Sequence, residues 1–157
     1  MRFVRAKAAS SQQDRDGRVE MPLGRINASS DRRFGALTPA DMLRHLRRTL
    51  EPVTGDYTPE ADMSNFFTRT ALFHTVFLVL PWPKGKVKVP DWLTPPAEGD
   101  VEFEREKLFV RMDKFVGMLE ASPAGTCKNP LLGPVSLKYL GRLQGKHIDH
   151  HRQQFGV

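Results

Sequence analysis

The sequence predicts an all-α protein, a single four-helix bundle, and three observations carry that prediction. Four segments repeat apolar residues at spacings of three and four. Most of those segments open on a residue that caps helices well. No segment alternates apolar and polar residues over the four to eight positions that would mark a strand.

The chain begins outside this pattern. Residues 1–33 hold eight Lys/Arg against four Asp/Glu, a net +4, whereas the remainder holds sixteen against fourteen. The segment is polar and poor in apolar residues, so 1–33 reads as a poorly ordered basic leader and 34–157 as the helical domain. Its Arg and Ser content suggests an organelle transit peptide, but Asp14, Asp16 and Glu20 weigh against one. Met21 stands as an alternative start.

The first helix is read in "LTPADMLRHLRRTL". Thr38 suits the N-cap, Pro39 the first helical position, and Asp41 the first turn, where the helix dipole favours a carboxylate. Met42, Leu43, Leu46 and Leu50 form one stripe with His45 at its edge, and Pro52 and Gly55 end the helix. A second helix is predicted from Ser64 through "SNFFTRTALFHTVFLVL". Its later half is apolar nearly all round, which predicts deep burial. The connection from Pro81 to about Gly99 is too long for a tight turn and reads as a lid or binding element. Asp100 then caps a third helix with Leu108, Met112, Phe115 and Leu119 on one face. After the irregular "TCKNPLLGP", Ser136 caps a fourth helix that ends at Gly156.

Composition excludes several classes. The single cysteine, Cys127, rules out an intramolecular disulfide framework and a Cys-rich zinc site. No apolar run approaches the ~20 residues that span a bilayer, and no signal-peptide core follows the first basic residues, so a cytoplasmic location is expected. The charge of +6 raises nucleic-acid binding through the leader and Lys84, Lys86 and Lys88. No recognition motif accompanies those charges, and a solvated tail and loop explains them better.

The chemistry gathers at the C-terminus, in "GKHIDHHRQQFGV". With about 100° per residue, Leu137, Leu140, Leu143, Ile148 and Phe155 define the buried face of the fourth helix. His147 and His151 fall at the centre of that face, His150 at its margin, and Asp149 points to solvent. Gln144 and Gln154 also face inward, to hydrogen-bond the imidazoles or to satisfy backbone at the helix end. Imidazoles at i and i+4 project side by side, so both can reach one ion. His45 is the best-placed third ligand, and His74 reads instead as a satisfied residue near the core. The competing account is a pair of hydrogen-bonded core histidines, and spacing alone leaves both open.

Three motifs, "TPADMLRHL", "PWPKGK" and "KHIDHHRQQFG", give the chain a resemblance to the DinB-like superfamily. It is most similar to an uncharacterised branch with a C-terminal KHxDHHxxQFG motif. The resemblance runs from about Arg25 to Val157. It implies a four-helix bundle of up-down-down-up connectivity, with a crossover between the second and third helices. It also implies a divalent metal, zinc or nickel foremost, held by His45, His147 and His151, and it admits a homodimer. Relatives include thiol-dependent transferases that use a low-molecular-weight thiol, and others described as metal-dependent hydrolases. The chain departs from the pattern at Asn129-Pro130, where a His-Pro pair is expected, and at Leu140, where relatives often carry tryptophan.

The leading functional expectation is therefore a metal-dependent transferase or hydrolase acting on a small molecule, with His150 the one candidate acid or base. Cys127 reads as an ordinary loop cysteine, since nothing nearby lowers its pKa. The alternative is a non-catalytic, metal-stabilised binding or stress-response module.

Overall fold

Three of the four helices begin where the caps predict. A computed structural model describes residues 22–85 and 89–157. It contains α1 (Pro39–Thr54), α2 (Ala71–Val79), α3 (Val101–Ala121) and α4 (Leu137–Phe155). Each follows a capping side chain: Thr38, Thr70, Asp100 and Ser136 accept from the amides of Asp41, Phe73, Phe103 and Tyr139. Gly55 and Gly156 close α1 and α4 in the left-handed conformation, φ 78° and 71°, which costs glycine least. Helix α1 runs two residues past Pro52, because the Glu51 carbonyl takes the amides of Gly55, Asp56 and Tyr57 and completes the last turn.

The core is the meeting of three apolar stripes. Met42, Leu43, Leu46 and Leu50 of α1 pack with Leu108, Phe109 and Phe115 of α3 and Leu137, Leu140, Leu143 and Ile148 of α4. Burying such side chains contributes about 1.5–3 kcal/mol each. Helices α1 and α3 make the most extensive pairing, while α2 makes its main helix contact with α4. On another face of α1 lies a largely buried ionic cluster. Arg44 and Arg47 reach Glu51 and both oxygens of Glu98, and Arg47 also approaches the fully buried Glu104 at 3.4 Å. Glu104 in turn accepts from the Glu98 amide at 2.7 Å. The cluster ties the end of the long 81–99 connection to α1.

Three expectations need correction. The second helix is shorter than its spacing predicts and is not deeply buried. Asn65, Thr68 and Thr70 use their side chains to bond nearby backbone, holding 64–70 in turns and delaying the helix to Ala71. Leu72 and Val79 are 71% and 70% exposed, since α2 lies at the edge of the assembly. Second, the irregular stretch before α4 holds a small antiparallel hairpin, β1 (Thr126–Asn129) and β2 (Gly133–Ser136), pairing Thr126 with Ser136 and Asn129 with Gly133. Strands of four residues, one containing Pro134, are too short for alternation to register. Cys127 thus sits in a strand, half-buried, with its thiol pushed above the ordinary value by burial. Third, the expected disordered leader does not extend over 22–33: Leu23 and Ile26 are buried in the core. Arg105 of α3 donates to both of their carbonyls. Two apolar residues in a polar window were enough to dock it. Residues 1–21 lie outside the described residues, as do Lys86 and Lys88.

No helix among the described residues is long and apolar enough to cross a membrane. Leu108, 1% exposed at the α1–α3 contact, is a direct test of the packing. Leu108→Ala should lower the unfolding free energy by about 2–5 kcal/mol in urea melts.

Candidate metal centre

The stripe of α4 brings His147 and His151 to one side, and α1 presents His45 opposite them. Their ligating nitrogens all lie within 4.8 Å of one another. The Nε2 atom of His147 stands 3.0 Å from that of His45 and 3.1 Å from that of His151. His45 and His151 are buried and His147 is half-buried. The three residues that spacing and resemblance nominate are therefore brought together.

The outer nitrogens decide the chemistry of the inner ones. His45 Nδ1 lies 2.7 Å from the Leu93 carbonyl, which can only accept, so Nδ1 carries the proton. His151 Nδ1 lies 2.7 Å from Gln154 Oε1. The amide of Gln154 is fixed the same way round at its other end, where Nε2 donates to the Phe34 carbonyl at 2.9 Å. His151 Nδ1 is accordingly a donor too. Both rings turn an Nε2 lone pair towards His147, whose own Nε2 carries at most one hydrogen. One of the two short contacts is thus between lone pairs, an arrangement that an electrophile between the rings would relieve.

Two of the three separations match those a divalent ion requires, and the third lies within 4.8 Å. Two nitrogens each 2.0–2.1 Å from one ion stand about 2.9 Å apart at a right angle and about 3.3 Å apart at a tetrahedral one. The observed 3.0 and 3.1 Å fall between those limits. Burial keeps the ligands in the neutral form that binds metals. It lowers His45 below the ordinary range against the pull of Leu93, and it lowers His147 further with help from the neighbouring imidazoles. His151 is brought down to about 3, first by burial and then by His45, with the Gln154 bond opposing.

Each ring is held from behind by a separate part of the chain. Leu93 ends a 3₁₀ turn, Asp91–Leu93, in the long connection. That turn is fastened by Arg48, which donates to the Trp92 carbonyl at 2.9 Å and lies 3.2 Å above the Tyr57 ring, itself stacked on Trp92. Behind His151, the Phe34–Gly35 backbone comes so close that a side-chain carbon on Gly35 would meet Gln154 Nε2 at 2.5 Å. Gly35, at φ 75°, needs glycine's freedom on both counts.

The triad faces a cavity of about 690 Å³. Its walls include Phe73, Val76 and Phe77 of α2, Trp82 and Trp92 of the connection, and Leu132 beside the hairpin. Trp82 packs edge-on against His147, with centroids 5.4 Å apart, and donates its indole N–H to the Phe77 carbonyl. Lys146 donates to the carbonyls of Phe77 and Leu80, where a cation suits the end of α2. The long connection supplies both a wall of the cavity and, through Leu93, an anchor of the triad.

His150 lines the same cavity outside the triad, edge-on to Phe34 and to His151. Its pKa lies below the ordinary value, through burial and then through Lys84 and Lys146. His74 stays out of the site, bonded to the Thr68 carbonyl and stacked on Tyr139. Gln154 supports an imidazole, whereas Gln144 pairs with Thr49 at 3.2 Å. Leu93 and Phe34 escape sequence reasoning because they act through carbonyls, which every residue has. At the two positions where the chain departs from its resemblance, Asn129 and Leu140 both line the cavity, and Asn129 accepts from the amides of Leu131 and Leu132.

Compared with known proteins, the chain matches no family model, no curated protein and no solved structure.

The fixed tautomers are open to measurement. Ring-nitrogen NMR on metal-free protein at neutral pH should show His45 and His151 protonated at Nδ1. Gln154→Leu should release His151 to the other tautomer while leaving His45 unchanged.

Proposed function

We propose that the chain is a metal-dependent enzyme of the DinB-like kind, with His45, His147 and His151 holding one divalent ion at the foot of its cavity. The observation that carries the reading is the convergence of three Nε2 atoms, two of them committed as acceptors by separate anchors. Three imidazoles accept zinc, nickel, copper or iron, and zinc or nickel is the choice in this reading. The up-down-down-up bundle of that superfamily is the scaffold in this reading. A triad at the foot of a cavity favours catalysis over a closed structural site, which would take its fourth ligand from the protein.

When bound, the ion would supply Lewis acidity, lowering the pKa of a water or thiol so that a nucleophile exists at neutral pH. The chain's own residues do the remainder. Leu93 and Gln154 orient two of the rings, and Trp82 and Phe77 keep bulk water from the same wall. His150 is the side chain placed to move a proton beside the reacting atoms. Thiol transfer and hydrolysis are the two reaction types consistent with this arrangement, with a low-molecular-weight thiol as co-substrate in the first.

Elemental mass spectrometry of the purified, untagged protein tests the reading. The wild type should carry about one ion per chain, and His147→Ala/His151→Ala should lose it while keeping its helical circular dichroism. His45→Ala should lose it as well. Gln154→Leu should bind roughly 10–100-fold more weakly, as expected for removal of a ligand's hydrogen-bond partner. Absence of metal in the wild type, with no rise in melting temperature on adding zinc or nickel, would sink the proposal.

A further inference from the structure

The walls of the cavity say what kind of molecule it takes. Charged residues are 27% of the chain, yet none of the described residues that line the cavity is Lys, Arg, Asp or Glu. The lining is dominated by aromatic and aliphatic side chains from α2, α4 and the long connection. Among the described residues, the cations beside the lining are engaged: Lys146 with two carbonyls, and Lys84 over the face of Phe34 at 5.4 Å. Away from the three imidazoles, a carboxylate, phosphate or ammonium against these walls would shed its water and meet no counter-charge among the described lining residues, at a cost apolar contacts do not offset.

The polar groups of the lining are few and mostly committed. Gln154 uses both ends of its amide within the protein, and the Asn129 carbonyl takes two amides. Gln144 and Trp92 are exceptions: one end of the Gln144 amide pairs with Thr49 and the other has no partner among the described residues, and the buried Trp92 indole N–H has none either. Gln144 is buried, lines the cavity, and stands one helical turn before His147 on the same face of α4.

We propose that the cavity binds an uncharged, largely apolar small molecule, seated with its reactive end at the three imidazoles and one neutral polar group at Gln144. The position of the reactive end rests on the metal reading above; the selectivity of the walls does not. By this inference a charged thiol tripeptide would not be enclosed, and a hydrophobic carbonyl or alcohol would be.

Two probes separate these parts. The uncharged dye N-phenyl-1-naphthylamine should bind the chelator-treated full chain at one saturable site, with a blue shift. Val76→Glu, which sets a carboxylate on the cavity wall, should weaken it at least tenfold. Leu72→Ser/Val79→Ser, on the exposed part of α2 away from the cavity, should leave it unchanged. Straight-chain alkyl hydroxamic acids should then displace the dye from zinc-loaded protein, tightening about fourfold per added methylene until the cavity is filled. A carboxylate at the far end of the same chain should forfeit that gain. No dye binding, binding lost in the Leu72/Val79 variant instead, or equal competition by the carboxylated chain would each overturn the inference. Dye binding with chain-length dependence but no advantage from zinc would uphold the walls' selectivity and overturn the metal reading alone.

Discussion

Everything about the site depends on two hydrogen bonds made at the far side of two imidazoles. The Leu93 carbonyl and the Gln154 amide oxygen each take a proton from a histidine Nδ1. By doing so they force lone pairs into the narrow space that three rings share. Without those anchors the rings could exchange tautomers and turn apart, and the cluster would be three ordinary histidines. With them, the protein holds a concentration of electron density in a place from which water is largely excluded.

That arrangement explains features remote from it. The Leu93 carbonyl is useful only if a long, Pro-rich connection stays in place, and a chain of that length would otherwise be mobile. Arg48 clamps it at Trp92, and Arg44 and Arg47 hold Glu98 a few residues on. All three arginines come from α1, the helix that carries His45. The same helix therefore supplies the ligand candidate and fastens the segment that aims it. Glu104, with no exposed surface, couples this clamp to α3. Buried ion pairs are poor sources of net stability, so positioning is the better account of why so many charges gather here. At the other end, the Gln154 amide is set by the Phe34 carbonyl, and the segment before it is bonded to the end of α4 through Arg33 and Gln154 backbone.

Much of this was legible in the sequence, and the divide has a physical basis. Caps are local, so Thr38, Asp100 and Ser136 placed three helix starts correctly. The angular position of a residue on a long amphipathic helix is also local, and it put His147, His151 and Gln154 on the inner face. The failures lie where a tertiary neighbour, or its absence, decides. An apolar nine-residue helix looks buried in isolation, but α2 has the cavity on one side and, among the described residues, no covering layer on the other. The hairpin between α3 and α4 is held by four paired residues on each strand, below the length at which a period shows. Leu23 and Ile26 are two apolar residues in a charged stretch, and only their docking against Arg105 distinguishes them from a tail. The histidines were found by side-chain chemistry, whereas the carbonyls that orient them carry no signature in the sequence.

The absence of charged side chains from the described lining of the cavity suits the same constraint that fixes the tautomers. Three neutral nitrogens bring no compensating charge to a cation, so its full field would extend into whatever space adjoins it. Carboxylates on the walls would draw that field or become ligands themselves, and ammonium groups would oppose occupancy. Walls of tryptophan, phenylalanine and leucine do neither, and their low polarity strengthens any interaction at the foot of the cavity. The described charges gather in α1's buried ionic cluster and on the surface, and the lining itself holds none, which leaves the triad as the directed electrostatic feature of the cavity. The apolar lining and the histidine triad are thus two halves of one device, each of limited use without the other.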